Sequence, residues 1–183
     1  EWDVSKVSNF LGLFSGDNAF VANFEADLSK WDTSSATSMW KMFSGAKKFE
    51  SNLSGWDVSK VINMKEMFMD ARAFNSDLSR WNTSSVTNTA GMFQKALLFN
   101  SDLSKWDVQG LVQMNSMFQD AERFNQDIGV WRFNEATPDV TDAFEGNSFS
   151  ACVWDAPGTY AAEDGRHSPG RFYCKRGDTQ LKD

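Results

Sequence analysis

The chain has 183 residues, 41% hydrophobic and 14% aromatic, with a net charge of −7. That charge excludes a general nucleic-acid binder, which needs a basic footprint for phosphates, and electrostatic docking on an anionic membrane surface. A single histidine, His167, leaves little room for imidazole acid–base chemistry or a His-rich metal site, and no stretch approaches the ~20 apolar residues of a membrane span.

In chain order, the sequence opens on Glu1-Trp2-Asp3, the middle of a repeat, and is expected to be a piece of something longer. No N-terminal leader pattern precedes it, which says nothing about compartment. Trp31, Trp56, Trp81, Trp106 and Trp131 then follow at intervals of 25, and Trp2 precedes Trp31 by 29. The four extra residues lie near 20–23 and read as a loop insertion in the first coil. Around the tryptophans the segments align, as in FESNLSGWDVSKVINMKEMFMDA and FNSDLSKWDVQGLVQMNSMFQDA. The coil at Trp131 loses the Asp-Val-Ser triplet, gains a residue near Pro138 and ends the array. Self-similarity at this period is the signature of stacked coils, because one repeat cannot bury its own apolar stripe.

Within a coil the first predicted element is extended. In Leu53-Ser54-Gly55-Trp56-Asp57-Val58, Trp and Val flank a polar residue, and a corner between Leu53 and Trp56 lets both point inward. The second is a helix: Val61, Met64, Met67, Phe68 and Ala71 form one stripe, with Ser59 before it as N-cap. Ser5, Ser34 and Ser84 repeat the cap, and Gln109 breaks it. The Met/Phe stripe reads as a core ladder rather than a sticky groove. The fold expected is an α/β repeat solenoid of about six coils, each a short parallel strand plus a helix, over residues 1–147, with a C-terminal cap over 148–183.

The pattern WDVS…MF…FN.DLS, from Trp2 to about Phe144, resembles the BspA-like leucine-rich-repeat surface proteins, the mycoplasma lipoprotein-type repeat of unknown function. Departures are Thr89 for Met, Gln109 for Ser and the degenerate last coil. The resemblance implies a leucine-rich-repeat-like architecture and a secreted or surface-exposed, non-enzymatic role in adhesion or protein–protein contact. Such repeats are also widespread in microalgae. Extracellular leucine-rich repeats commonly close an exposed end with disulfides, which implies a bond between the only cysteines, Cys152 and Cys174, and an oxidising compartment. Two free thiols or a redox pair are the alternatives, and there is no C-x-x-C spacing.

Two columns carry candidate chemistry: Asp27, Asn52, Asp77, Asp102, Asp127, and Asp3, Asp32, Asp57, Asn82, Asp107. Calcium bridging between coils is one reading. The favoured one is that each side chain accepts a backbone N–H at a turn, since Asn interchanges with Asp. Lys30, Arg80 and Lys105, in register with Gly55 and Val130, either face a partner or balance the neighbouring carboxylates. Sequons at Asn52 and Asn82 fall in repeat columns, and Arg176-Gly177-Asp178 is an integrin-type tripeptide without supporting context. Thr33 and Thr83 recur only in alternate coils and are expected to pack inward, which discounts an ice-binding face.

No catalytic constellation, phosphate-cradling glycine motif or cofactor site is assembled. The expectation is a protein-binding or adhesion module at the cell surface, outside the cell or in an oxidising lumen, inserting in no membrane and binding no nucleic acid. The alternative is a structural scaffold or linker subunit buried in a larger assembly, a membrane-associated algal one included.

Overall fold

The computed structural model describes residues 2–134 and 138–146 in full, and the strands Cys152–Asp155 and Arg171–Cys174 as backbone. Successive coils stack in register. Single-residue parallel bridges link Asn9 to Ser38, Ser38 to Asn63, Asn63 to Asn88, Asn88 to Gln113 and Gln113 to Asp139.

The segment expected to be helical is a chain of β-turns. The Met67 N–H donates to the Met64 carbonyl, Ala71 to Phe68 and Phe74 to Ala71, each at 3.1 Å. The first and fourth residues of each turn are buried: Met64, Met67, Phe68, Ala71 and Phe74 are fully inside. The i, i+3 spacing that reads as a helix stripe is therefore turn spacing. Glu66 and Asp70, third in their turns, sit at φ 54° and 55°, the left-handed region that such turns require.

Alternate amides reach the next coil. Met64 N–H donates to Asn88 O at 2.9 Å, Glu66 to Ala90 at 2.8 Å, Phe68 to Met92 at 2.9 Å and Asp70 to Gln94 at 2.7 Å. The same four donors recur at Met39, Lys41, Phe43 and Gly45, and at Thr89, Gly91, Phe93 and Lys95. Packing distance explains why the helix is not formed. Rings in one column repeat at 5.5–5.8 Å along Phe43, Phe68, Phe93 and Phe118. A helix is ~10 Å across and does not fit that repeat, whereas a flat run of turns does.

The parallel backbone pairing thus lies in the half of the coil expected to be helical. The tryptophan half, expected to supply the stacked strand, carries no backbone-to-backbone bond between coils over 74–86; turns close Leu78 to Trp81 and Thr83 to Val86. The corresponding turn from Leu53 to Trp56 is the expected corner, and both residues are buried.

Side chains hold this second half together. The indole Nε1–H of Trp56, Trp81, Trp106 and Trp131 donates to the carbonyl of Leu28, Leu53, Leu78 and Leu103 in the coil before, at 2.9–3.1 Å. The hydroxyls of Ser51, Ser76 and Ser101 accept the N–H of Leu28, Leu53 and Leu78. Thr33 and Thr83, buried, donate to the carbonyls of Asp57 and Asp107. The core is the space between the halves, filled by rings in files. Phe24, Phe49, Phe74, Phe99 and Phe124 form one at 5.9–6.1 Å, and Trp2, Trp31 and Trp56 begin another at 6.1 and 6.2 Å.

The insertion in the first coil forms one short helical turn, α1 (Ala19–Ala22), whose N-cap Asn18 accepts the Val21 N–H. Phe20 on it is 74% exposed. Beyond the coils, β1 (Cys152–Asp155) and β2 (Arg171–Cys174) pair antiparallel.

Candidate interaction face

The backbone-paired half of each coil presents its unburied positions on one face. Along one row stand Leu11, Trp40, Lys65, Ala90, Asn115 and Thr141, a different residue type in every coil; all but the buried Ala90 are at least partly exposed. Backbone bonds hold this row whatever the side chains are, since Gly12 N–H donates to Trp40 O, Lys41 to Lys65 O and Glu66 to Ala90 O. A second row, Thr37, Ile62, Thr87 and Val112, leaves Ile62 and Val112 51% and 57% exposed. β-Branched residues suit this extended position at the entrance to the ladder.

Trp40 is half-buried, with the Nζ of Lys41 and of Lys65 each 5.8 Å from its ring centre. Glu66 pairs with both lysines, at 3.2 and 3.6 Å. The Trp40 Nε1 is buried without a hydrogen-bond partner, unlike the indoles of the core file. Asn88 bonds to Gln113, and Gln94 through Gln119 to Glu145, so side-chain amides also run along the stack here.

The two acidic columns lie on the other half, at its turns. Asp27, Asn52, Asp77, Asp102 and Asp127 each accept the backbone N–H two residues on, at 2.8–3.0 Å. Asp3, Asp32, Asp57, Asn82 and Asp107 do the same for Ser5, Ser34, Ser59, Ser84 and Gln109. Those serines therefore cap no helix; their N–H groups close Asx turns. The Ser59 hydroxyl and then its N–H hold the Asp57 carboxyl below the ordinary carboxylate range, and Ser5, Ser29 and Ser34 do likewise for Asp3, Asp27 and Asp32. At Asp77 and Asp102 the backbone N–H of Ser79 and Ser104 contributes most to the same downward shift. Among the described residues no group of three or more acidic, His or Cys side chains is placed to hold a metal ion.

Asn9, Asn63, Asn88 and Asp139 make a third Asx column, bonding the N–H of Leu11, Lys65, Ala90 and Thr141. The residue identities do not single this column out, because Ser38 and Gln113 interrupt it.

Lys30, Gly55, Arg80, Lys105 and Val130 are exposed at the tips of the Leu-to-Trp turns, flanked by both acidic columns. Lys60 and Lys105 lower neighbouring carboxyls, at Asp57 and Asp77 respectively, after the serine bonds. Asn52 and Asn82 are exposed, with each side-chain oxygen engaged in its Asx turn. An open groove of about 590 Å³ runs beside the first of these columns, lined by Glu25, Asp27, Lys48, Glu50 and Asn52. His167, Arg176-Gly177-Asp178 and the side chains of Cys152 and Cys174 lie outside the described residues.

The variable face was not visible in the sequence as such. Its signal is glycine in the left-handed positions: Gly12 and Gly16, Gly45, Gly91 and Gly146 fall four apart or in register. A residue that must be left-handed every fourth position marks chained turns and excludes a helix.

Two overlapping matches, over residues 1–96 and 53–151, are to one family, described as Mycoplasma protein of unknown function, DUF285. The chain belongs to that family. The DUF285 region thus takes in all the stacked coils and stops just before β1. No curated protein and no solved structure matches the chain.

Proposed function

We propose that this DUF285 chain is a non-enzymatic protein-binding or adhesion module, a leucine-rich-repeat-like solenoid related to the BspA-like surface proteins. The observation that supports this is the division of labour within each coil. One half is joined from coil to coil through side chains alone, and the other is joined through its backbone, with a row on which Leu11, Trp40, Lys65, Asn115 and Thr141 are at least partly exposed and differ from coil to coil. A half-exposed tryptophan between lysines, with Ile62 and Val112 beside it, has the chemistry of a protein-contact surface. The partner proposed is a protein, and the reading requires no cofactor. Net charge −7 disfavours nucleic acid, and among the described residues no helix is long and apolar enough to cross a membrane. The location proposed is the cell surface, the exterior or an oxidising lumen.

The test is binding of the chain to purified matrix and cell-surface proteins, beside the double variant Ile62→Asp, Val112→Asp. Both positions are exposed, so the circular-dichroism spectrum should be unchanged while a specific ligand is held at least about tenfold more weakly. A ligand bound equally by both proteins would remove this face from the proposal.

A second reading, a rigid scaffold or linker in a larger assembly, is favoured by the aromatic files that run from coil to coil. Native mass spectrometry of the protein from its source separates the two. A stable multi-protein complex with no free pool supports the scaffold.

A further inference from the structure

β1 and β2 pair so that Cys152 stands opposite Cys174, Val153 opposite Tyr173, Trp154 opposite Phe172 and Asp155 opposite Arg171. Every pair is chemically matched: two thiols, an aliphatic with an aromatic, two aromatics, an acid with a base. Cross-strand pairs of these kinds stabilise a register. A slip of one residue would set Cys152 against Tyr173 and Asp155 against Gly170. Directly opposed residues in an antiparallel pair have Cα atoms ~4.5 or ~5.5 Å apart, depending on which kind of pair they form. A disulfide spans Cα separations of ~4.4–6.8 Å, so either kind suits it.

We propose that Cys152 and Cys174 form a disulfide across this two-stranded sheet, clasping the two strands to each other and adding no cross-link to the coils. The inference stands apart from the protein-binding proposal, since it rests on the register alone. Formation removes two protons and two electrons from the thiol pair. A small-molecule disulfide such as oxidised glutathione takes them up: one cysteine thiolate attacks it, releasing one thiol, and the second cysteine attacks the mixed disulfide, releasing the other. Residues 153–173 then lie within a closed covalent loop and Arg176-Gly177-Asp178 lies just outside it.

The 183-residue chain is equilibrated with oxidised glutathione, quenched in acid, denatured and alkylated, and its intact mass is read before and after reduction. The expected result is no alkyl group before reduction and two after it, with the Trp154 peptide joined to the Phe172 peptide in the unreduced digest. Two glutathione adducts, two alkyl groups without reductant, or a disulfide-linked dimer would each overturn the pairing. The Cys152→Ser variant should leave one thiol open to alkylation and keep the melting temperature of the coils. A melting temperature that falls by several degrees in that variant would show the tail tied to the stack, against the second half of the proposal.

Discussion

Each coil has two halves that solve one problem differently. From 62 to 70 every second amide donates to a neighbouring coil, and Ala73 follows; from 74 to 86 coils are joined only through side chains, as by Trp81 to Leu53 and Leu78 to Ser101. Where the backbone does the joining, the inward Met, Phe and Ala positions still recur, but residue identity drifts along the row from Leu11 to Thr141. Where side chains do it, identity is constrained, and that half carries the recurring FN.DLS.WD motif. The motif therefore marks how side chains hold the stack, and the varying positions between motifs mark what the stack shows to its surroundings.

Substitutions can break this contrast. The largest effect is expected for Trp81→Ala, which removes a buried ring stacked on Trp106 at 6.3 Å and the bond to Leu53; urea denaturation should show a loss of ~3–5 kcal/mol. The backbone half should fail only where a side chain intrudes on its main chain. At Gly45, φ is +82° and an added Cβ would lie 2.4 Å from the Gly16 carbonyl oxygen, so Gly45→Ala should lose ~2–3 kcal/mol by the same measurement. Ser101→Ala leaves the buried Leu78 N–H without an acceptor, and a melting curve should register ~1–3 kcal/mol.

The fourth test is pH. The carboxyls of Asp3, Asp27, Asp32, Asp57, Asp77, Asp102 and Asp139 lie below their ordinary value in the folded state. Their contribution is therefore fully present above the unfolded value near ~3.9, and is lost as pH falls through the folded one. Denaturation midpoints should be level near neutrality and decline below about pH 4. Asp57→Asn with Asp77→Asn, which keep the accepting oxygen, should make that decline shallower; an unchanged slope would exclude these turns as its source. Smallest of all should be Asn115→Ala, on the outward row, at under ~0.5 kcal/mol. A loss as large as that at Ser101 would dissolve the distinction between the halves.

Much of this organisation was legible in the residues themselves. The period, the insertion at 20–23, the inward-facing Thr33 and Thr83, and the Asx role of both acidic columns follow from spacing and from Asn replacing Asp. The secondary structure did not follow. A helix and a string of turns both place apolar residues at i and i+3, and what separates them is where the intervening amides go. Met64 and Glu66 send theirs to Asn88 and Ala90, a neighbour 24 residues away that no local window contains. The left-handed positions held by Lys41, Glu66, Lys95 and Ser116 hid the turn signal further, since these residue types are ordinary in helices. The outward face escaped for a related reason: variation among repeats looks like noise until the backbone shows that it is aligned.

The coil-to-coil bonds also have a direction. In the peptide joining Lys65 to Glu66, the carbonyl accepts from Lys41 behind and the N–H donates to Ala90 ahead; the peptides ending at Met64, Phe68 and Asp70 are aligned the same way. The amides of Ile62 and Ala73 point back, to Thr37 and Lys47. Four peptide dipoles of ~3.5 D per coil thus outnumber two opposed ones, and the surplus accumulates with every coil added. Hydrogen-bonded amide chains of this kind also polarise one another. Most sheets cancel their dipoles, whereas in the coils from Asn9 to Asp139 the surplus peptide dipoles all point the same way along the stack.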